Sequence, residues 1–373
     1  YSEISLKLLC SNLAQRYIES KRQVYEVDDL KDNSERFIAD YPVILSTTYS
    51  LRNNLSKEHT YDYVIIDESS QVDLCTGALA LSCAKNVVVV GDLKQLPHVV
   101  DSITAKETDL LFDKYTLPES YRYKNQSLLS SIMGVFPNAP RTLLKEHYRC
   151  HPKIIEFCNK KFYNGQLIIL TEDQGEIEPL VVYKTVEGNH ARNRVNKRQI
   201  DVIKNEIIPE LKLDASDGSI GIITPYRNQT NALQEAFIDE KVRANTVDKF
   251  QGQESDVVIL STVDNKITKF TDDANRLNVA ISRAIKKLVL IVNEGDQLQD
   301  KNIGDLIRYI EYNNFSVVQS KVCSVFDYLF KSYAEKRNHL LRSKKRISKY
   351  DSENLMNHLI STVLKERERH GLE

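Results

Sequence analysis

The residues Val64-Ile65-Ile66-Asp67-Glu68-Ser69-Ser70-Gln71 constrain the fold of this chain more than any others. A short apolar run ends in two adjacent carboxylates and then in polar residues. A parallel β-strand buried on both faces reads this way, as a continuous apolar run rather than an alternation. Open α/β sheets bind ligands outside the carboxyl ends of such strands. The pattern then recurs, with Val87–Val90 leading into Gly91-Asp92-Leu93-Lys94-Gln95-Leu96-Pro97. An acid after one strand is often a solvated turn. Two buried strands that each deliver an acid to one edge suggest a nucleoside-triphosphate site.

The alternation continues along the chain. Apolar runs fall at Val43–Thr47, Tyr63–Ile66, Val87–Val90, Leu180–Tyr183, Ile220–Thr224, Val257–Val263 and Leu288–Val292. Segments with helical spacing, such as Asn193–Leu211 and Gln229–Asp239, lie between them. Strands alternating with helices predict parallel α/β sheets. With 373 residues there is length for two or three domains, and Phe136-Pro137-Asn138-Ala139-Pro140 is the best linker signal. No apolar stretch approaches membrane-spanning length, and the N-terminus lacks a secretory pattern. The six cysteines include no C-x-x-C pair, which fits reduced thiols and a cytoplasmic protein. Net charge is −1, so any nucleic-acid surface must be a local basic patch. The chain opens on Tyr1 and closes on Gly371-Leu372-Glu373, which reads as a piece of a longer protein.

In order, these motifs resemble the superfamily 1 helicases, in the subgroup of the nonsense-mediated-decay RNA helicase and its bacterial DNA-helicase relatives. Asp67-Glu68-Ser69-Ser70-Gln71 is similar to the Walker B motif. By that resemblance Asp67 holds Mg²⁺ through water and Glu68 deprotonates the attacking water, with Gln71 also on the nucleotide. Two acids suit the task, since one stays with the cation while the other meets the nucleophile. The Gly91–Pro97 segment resembles motif three, with Asp92 at the nucleotide and Gln95 sensing the γ-phosphate; His98 replaces a proline at the surface. His147-Tyr148-Arg149-Cys150-His151-Pro152 resembles Gln-Tyr-Arg-Met-His-Pro and makes Arg149 an arginine finger. The adjacency of Cys150 and His151 argues against a zinc site there. Thr224, in Ile222–Gln229, is a nucleic-acid backbone contact or a plain strand-end turn. Thr246-Val247-Asp248-Lys249-Phe250-Gln251-Gly252-Gln253-Glu254 resembles motif five. This implies Gln251, Gly252 and Glu254 at the nucleotide and Thr246 and Asp248 toward nucleic acid, Gly252 permitting close backbone approach. Asn275–Ala284 resembles motif six, with Arg276 on the nucleotide side and Arg283 a second finger.

The family also carries Gly-x-x-x-x-Gly-Lys-Thr, which cradles the phosphates. None of the 12 glycines here precedes a lysine. The expectation is that this loop lies upstream and that the chain as it stands does not hydrolyse ATP; a relative that lost the loop is the alternative. The fold expected is α/β, with two RecA-like parallel-sheet domains and a helical C-terminal extension. Residues 1–143 form the incomplete first domain, 144–300 the second, and 301–373 a basic extension. That extension includes Lys331–Lys349, with eight Lys or Arg and one Glu, which lie along nucleic acid or form a solvated helix face. The implied function is an ATP- and Mg²⁺-dependent motor on single-stranded nucleic acid, DNA ahead of RNA. Two rivals stand beside it: an inactive binding module, and a nucleic-acid-stimulated ATPase that does not unwind.

Overall fold

The computed structural model describes residues 2–19, 24–176, 178–186, 188, 190–295 and 298–322, in two compact units. The first unit runs to Gly175 and adds Val247–Gln253 and Asp272–Ala284. The second takes Glu176–Thr246, Glu254–Thr271 and the chain from Ile285.

In the first unit β1 (Tyr61–Ile66) pairs in parallel with β2 (Ala84–Val89), from Tyr61 opposite Ala84 to Ile66 opposite Val89. Asp73 caps the helix Leu74–Leu81, accepting from the amides of Cys75 and Thr76. That helix and Leu128–Val135 cover one face of the pair, where Val64 and Ile66 meet Ala80 and Leu128. The alternate residues Tyr63 and Ile65 stay 65% and 69% exposed. Burial on both faces, which the continuous apolar run led us to expect, is therefore corrected for β1. Successive side chains point to opposite faces, and among the described residues only one face has a layer against it.

The short strands β3 (Glu146–His147) and β4 (Ile168–Ile169) pair in parallel beside the helix Pro152–Phe162. This helix starts on a His151 cap, with proline at a first-turn position. It buries Ile154, Ile155, Phe157, Cys158 and Phe162 and packs on the helix Ala274–Ile281. That packing draws residues 144–175 into the first unit, so the division falls after Gly175 and not after residue 143.

The second unit holds β5 (Leu180–Thr185), β6 (Ala191–Arg192), β7 (Val195–Asn196), β8 (Ile220–Thr224), β9 (Arg243–Thr246), β10 (Ser255–Ser261), β11 (Ala284–Asn293) and β12 (Val317–Gln319). Six of them form one parallel sheet in the order β12-β5-β11-β10-β8-β9, while β6 and β7 make an antiparallel hairpin. Here the apolar runs are buried on both faces. Val181, Tyr183, Ile222, Ile259, Val289 and Ile291 form a core with Ile203, Ile207, Leu233 and Phe237. The fold class is the expected α/β, with parallel strand pairing in both units.

Three local expectations need correction. Val43–Thr47 forms no strand; Val43 and Leu45 are 79% and 93% exposed, and without a ladder partner an apolar run has nothing to hold it extended. Asn193–Leu211 begins as the β6–β7 hairpin and becomes helical only at Lys197. Residues 302–319 are part of the second unit and no extension: the helix Asn302–Tyr312 leads into β12, which pairs with β5. Residues 323–373, with Lys331–Lys349, lie outside the described residues.

Candidate functional site

The ends of β1 and β2 are laced together by backbone and hydroxyl bonds. Ser69 donates to the Val90 carbonyl from its amide (2.9 Å) and its hydroxyl (2.6 Å). Ser70 donates to the Leu96 carbonyl (3.3 Å), and the His98 amide to Ser70 O (3.0 Å). Gly91 permits this approach, since a Cβ there would lie 2.8 Å from Ser69 Oγ and 3.1 Å from Ser69 N.

The two acids stand at this laced edge. Asp67 is exposed, and its Oδ1 accepts from the Glu68 amide at 2.8 Å. Glu68 has φ of 50°, a left-handed conformation that costs a non-glycine residue about 1–2 kcal/mol. Its Oε2 accepts from Gln251 Nε2 at 3.0 Å and from Gln71 Nε2 at 3.4 Å. A residue 183 positions away in sequence thereby orients the second acid.

Asp92 anchors a second polar group. Its Oδ1 accepts from the Lys94 amide (2.8 Å), its Oδ2 from Gln95 Nε2 (3.2 Å) and from Tyr163 OH (2.6 Å). Asn278 Nδ2 donates to Tyr163 OH (2.7 Å) and to the Lys94 carbonyl (2.8 Å), and Asn275 Nδ2 to the Leu93 carbonyl (3.3 Å). Burial, and then the bond to Asp92, raise the Tyr163 pKa, so the phenol remains a neutral donor. Neither Tyr163 nor Asn278 stands among the site residues expected from the sequence. The usable signal was a polar side chain, Asn278, inside the apolar run Leu277–Ile281.

The remaining expected residues divide. Arg276 and Asp248 form an ion pair at 2.9 Å, so they occupy one place rather than two separate sites. Gly252 has φ of 75°, a conformation that favours glycine, and a Cβ there would meet nothing within 4 Å among the described residues. Arg149 is exposed near His147. Arg283 is 5% exposed, its Nε donating to the Val279 carbonyl (3.2 Å) and its Nη2 to Ser282 Oγ (3.4 Å). Cys150 Sγ donates to the Ser282 carbonyl (3.3 Å), and burial pushes the Cys158 thiol up. Glu254, Thr224 and Thr246 lie in the second unit and outside this cluster. Thr224 and Thr246 are 0% and 6% exposed, and Thr224 Oγ1 is buried without a hydrogen-bond partner.

The donor set can be tested against a magnesium nucleotide. Two exposed carboxylates suit a hard cation that keeps most of its waters. Gln95 Oε1 and Gln251 Oε1 are buried without a hydrogen-bond partner, the state of acceptors awaiting water or a ligand donor. The metal side of the site therefore fits. A phosphate cradle of glycine amides and lysine is not encoded in these 373 residues.

Known proteins resemble this chain over much of its length. Two family models, each described as AAA domain, match residues 5–103 and 124–295. An uncharacterized ATP-dependent helicase of Methanocaldococcus jannaschii is 27% identical over 325 residues, covering 80% of this chain and 46% of its own length. Helicase SEN1 of Saccharomyces cerevisiae is 30% identical over 279 residues, covering 66% of this chain and 12% of its own. The chain thus spans less than half the length of these curated relatives. Among solved structures, Arterivirus nonstructural protein 10 (helicase) aligns with a TM-score of 0.36 at 16% identity, over 66% of this chain and 43% of that one. The chain is similar in sequence to these ATP-dependent helicases over much of its length.

Proposed function

We propose that this chain is most of the motor core of a superfamily 1 helicase of the nonsense-mediated-decay-helicase subgroup. It would couple ATP hydrolysis to movement along single-stranded DNA or RNA. The observation that carries the proposal is the cluster in the first unit. Side chains from five separated segments, Asp67–Gln71, Asp92–Gln95, Tyr163, Asp248–Gln251 and Asn275–Asn278, join through hydrogen bonds and one ion pair around two exposed acids. Folding alone has little use for Glu68 held in a left-handed conformation and aimed by two carboxamides.

In this reading Asp67 holds Mg²⁺ through water, and the ion supplies charge neutralisation at the phosphates. Glu68 accepts a proton from the water that attacks the γ-phosphorus, as the bond to the β–γ bridging oxygen breaks. Gln251 and Gln71 keep the Glu68 carboxylate turned toward that water. Gln95 Oε1 is a buried acceptor without a partner, and through Asp92, Tyr163 and Asn278 its side chain is tied to the helix Ala274–Ile281. Arg149 and Arg283 serve as positive groups for the charge that builds on the transferring phosphoryl. A glycine–lysine phosphate cradle is not encoded in these 373 residues. Nucleic acid would run along the carboxyl edge of the second unit's sheet, near the ends of β8 and β9, which carry Thr224 and Thr246.

The test pairs ATP turnover with single-strand affinity in the protein expressed from its whole reading frame. Glu68→Gln keeps the shape and removes the base, so turnover should fall by roughly 10³-fold or more while strand affinity moves by less than about threefold. Near-normal turnover in that variant would remove the reading. The absent glycine–lysine loop favours a second one, a module that binds single strands without turnover. A wild-type whole protein that binds strands and shows no ATPase would establish it.

A further inference from the structure

The second unit carries an exposed feature that the nucleotide site does not use. The chain leaving β5 forms the β6–β7 hairpin, the chain leaving β8 reaches Tyr226, and the chain leaving β10 forms the loop 264–271. In a parallel sheet these exits share one edge. β8 and β10 are neighbours, yet from β8 the chain passes to β9 on one side and from β10 to β11 on the other. Such a divergence opens a crevice at the carboxyl edge, where open α/β sheets take their ligands.

The rings of Tyr226 and Phe270 stack there, with centroids 5.7 Å apart and planes 15° apart, and Phe270 is 45% exposed. The Arg194 guanidinium lies 5.4 Å from the Tyr226 ring centroid. The scaffold beneath is rigidly bonded. Asp264 Oδ2 accepts from Tyr226 OH (3.0 Å), Thr268 Oγ1 (3.1 Å) and Thr271 Oγ1 (2.6 Å). Asn265 Oδ1 accepts from the amides of His190 (2.8 Å) and Ala191 (2.9 Å), joining loop to hairpin. Three residues here sit at positive φ without being glycine: Asn193 (51°), Arg194 (62°) and Val263 (66°). A β-branched residue is rarely left-handed, and Val263 is held so by Gln199 Oε1 on its amide (3.0 Å) and Asn196 Nδ2 on its carbonyl (2.8 Å). At the hairpin tip, arginine occupies a turn position that favours glycine.

Charge points the same way. Residues 191–197, 226–228 and 264–271 hold six cations and one acid in a protein of net charge −1, and the acid is the bonded Asp264. Arg192, Arg194, Arg227, Lys266 and Lys269 are exposed. An exposed aromatic stack rimmed by cations is how single strands are gripped without reading their sequence. We infer that Phe270, seated on Tyr226, is a base-stacking platform for single-stranded nucleic acid, with the surrounding arginines and lysines on its phosphates. The inference deepens the function proposed above and rests on its nucleic-acid part.

The experiment measures binding of this chain to a base-bearing single strand of DNA and to an abasic strand of equal length, with RNA in parallel. Phe270→Ala and Phe270→Leu, the latter keeping apolar volume without a π-face, should each weaken the base-bearing strand roughly tenfold and leave the abasic strand unchanged. Arg194→Ala should weaken both strands and lower the salt slope by about one. Wild-type affinity in both Phe270 variants, or equal losses on the two strands, would overturn the platform alone. A wild-type chain that binds neither strand would overturn the nucleic-acid reading and the platform with it.

Discussion

His147 shows how burial sets a residue's chemistry. Burial first, and then the positive charge of Arg149, push its pKa down to about 4. Nε2 accepts from the Cys150 amide at 2.9 Å, so the ring is neutral with its proton on Nδ1. In the unfolded chain a histidine titrates near about 6.5. Between those values the unfolded state binds more protons, so the stability this group contributes above about pH 6.5 is lost as pH falls toward about 4. Urea unfolding at pH 7 and pH 5 should show this fall, and His147→Gln, which cannot titrate, should flatten it. A variant as pH-sensitive as the wild type would place the effect elsewhere. Tyr163→Phe removes one hydroxyl from Asp92 and Asn278, a loss expected at about 1–2 kcal/mol by denaturant titration. Unchanged stability would mean that water replaces both bonds.

The strand β1 makes a prediction at the scale of an element. Ile65 and Ile66 are neighbours of the same type, 69% and 4% exposed. Ile66→Ala should cost about 2–4 kcal/mol and Ile65→Ala less than about 0.5. Equal costs would mean that the outer face of β1 is covered after all. Between the strand ends, Gly91→Ala drives a Cβ against Ser69 Oγ and the Ser69 amide. It should destabilise by about 1–3 kcal/mol and lower the melting temperature. An unchanged melting temperature would show that the lacing between residues 67–71 and 90–98 yields without strain.

For the whole molecule, the expectation is that this chain alone shows no ATP turnover at helicase rates, whatever strand is added. In the proposed reading its acids and arginines would act on a γ-phosphate, and the sequence holds no glycine–lysine pair to cradle it. Turnover in an ATPase assay of this chain would mean that another group holds the phosphates. Metal analysis is expected to find no stoichiometric zinc, because Cys150 Sγ bonds the Ser282 carbonyl and His147 Nε2 accepts the Cys150 amide. Zinc released by Cys150→Ala would contradict that.

The sequence by itself determined the α/β class, six of the seven apolar runs as strands, and the acids that follow β1 and β2. These are local properties: a strand's period, a run's length and an acid's place after it are set within ten residues or so. Tertiary structure alone decided which face of β1 is covered, that Val43–Thr47 forms no strand, and that Thr224 points inward while Phe270 reaches solvent. It also decided that Gln251 orients Glu68 and that Tyr163 bridges Asp92 to Asn278. The reason is that these outcomes depend on which distant segment arrives as a neighbour. A side chain's own sequence window holds its polarity and spacing, but its burial and its partner belong to residues outside that window, 71 positions away for Asp92 and Tyr163 and 183 for Glu68 and Gln251.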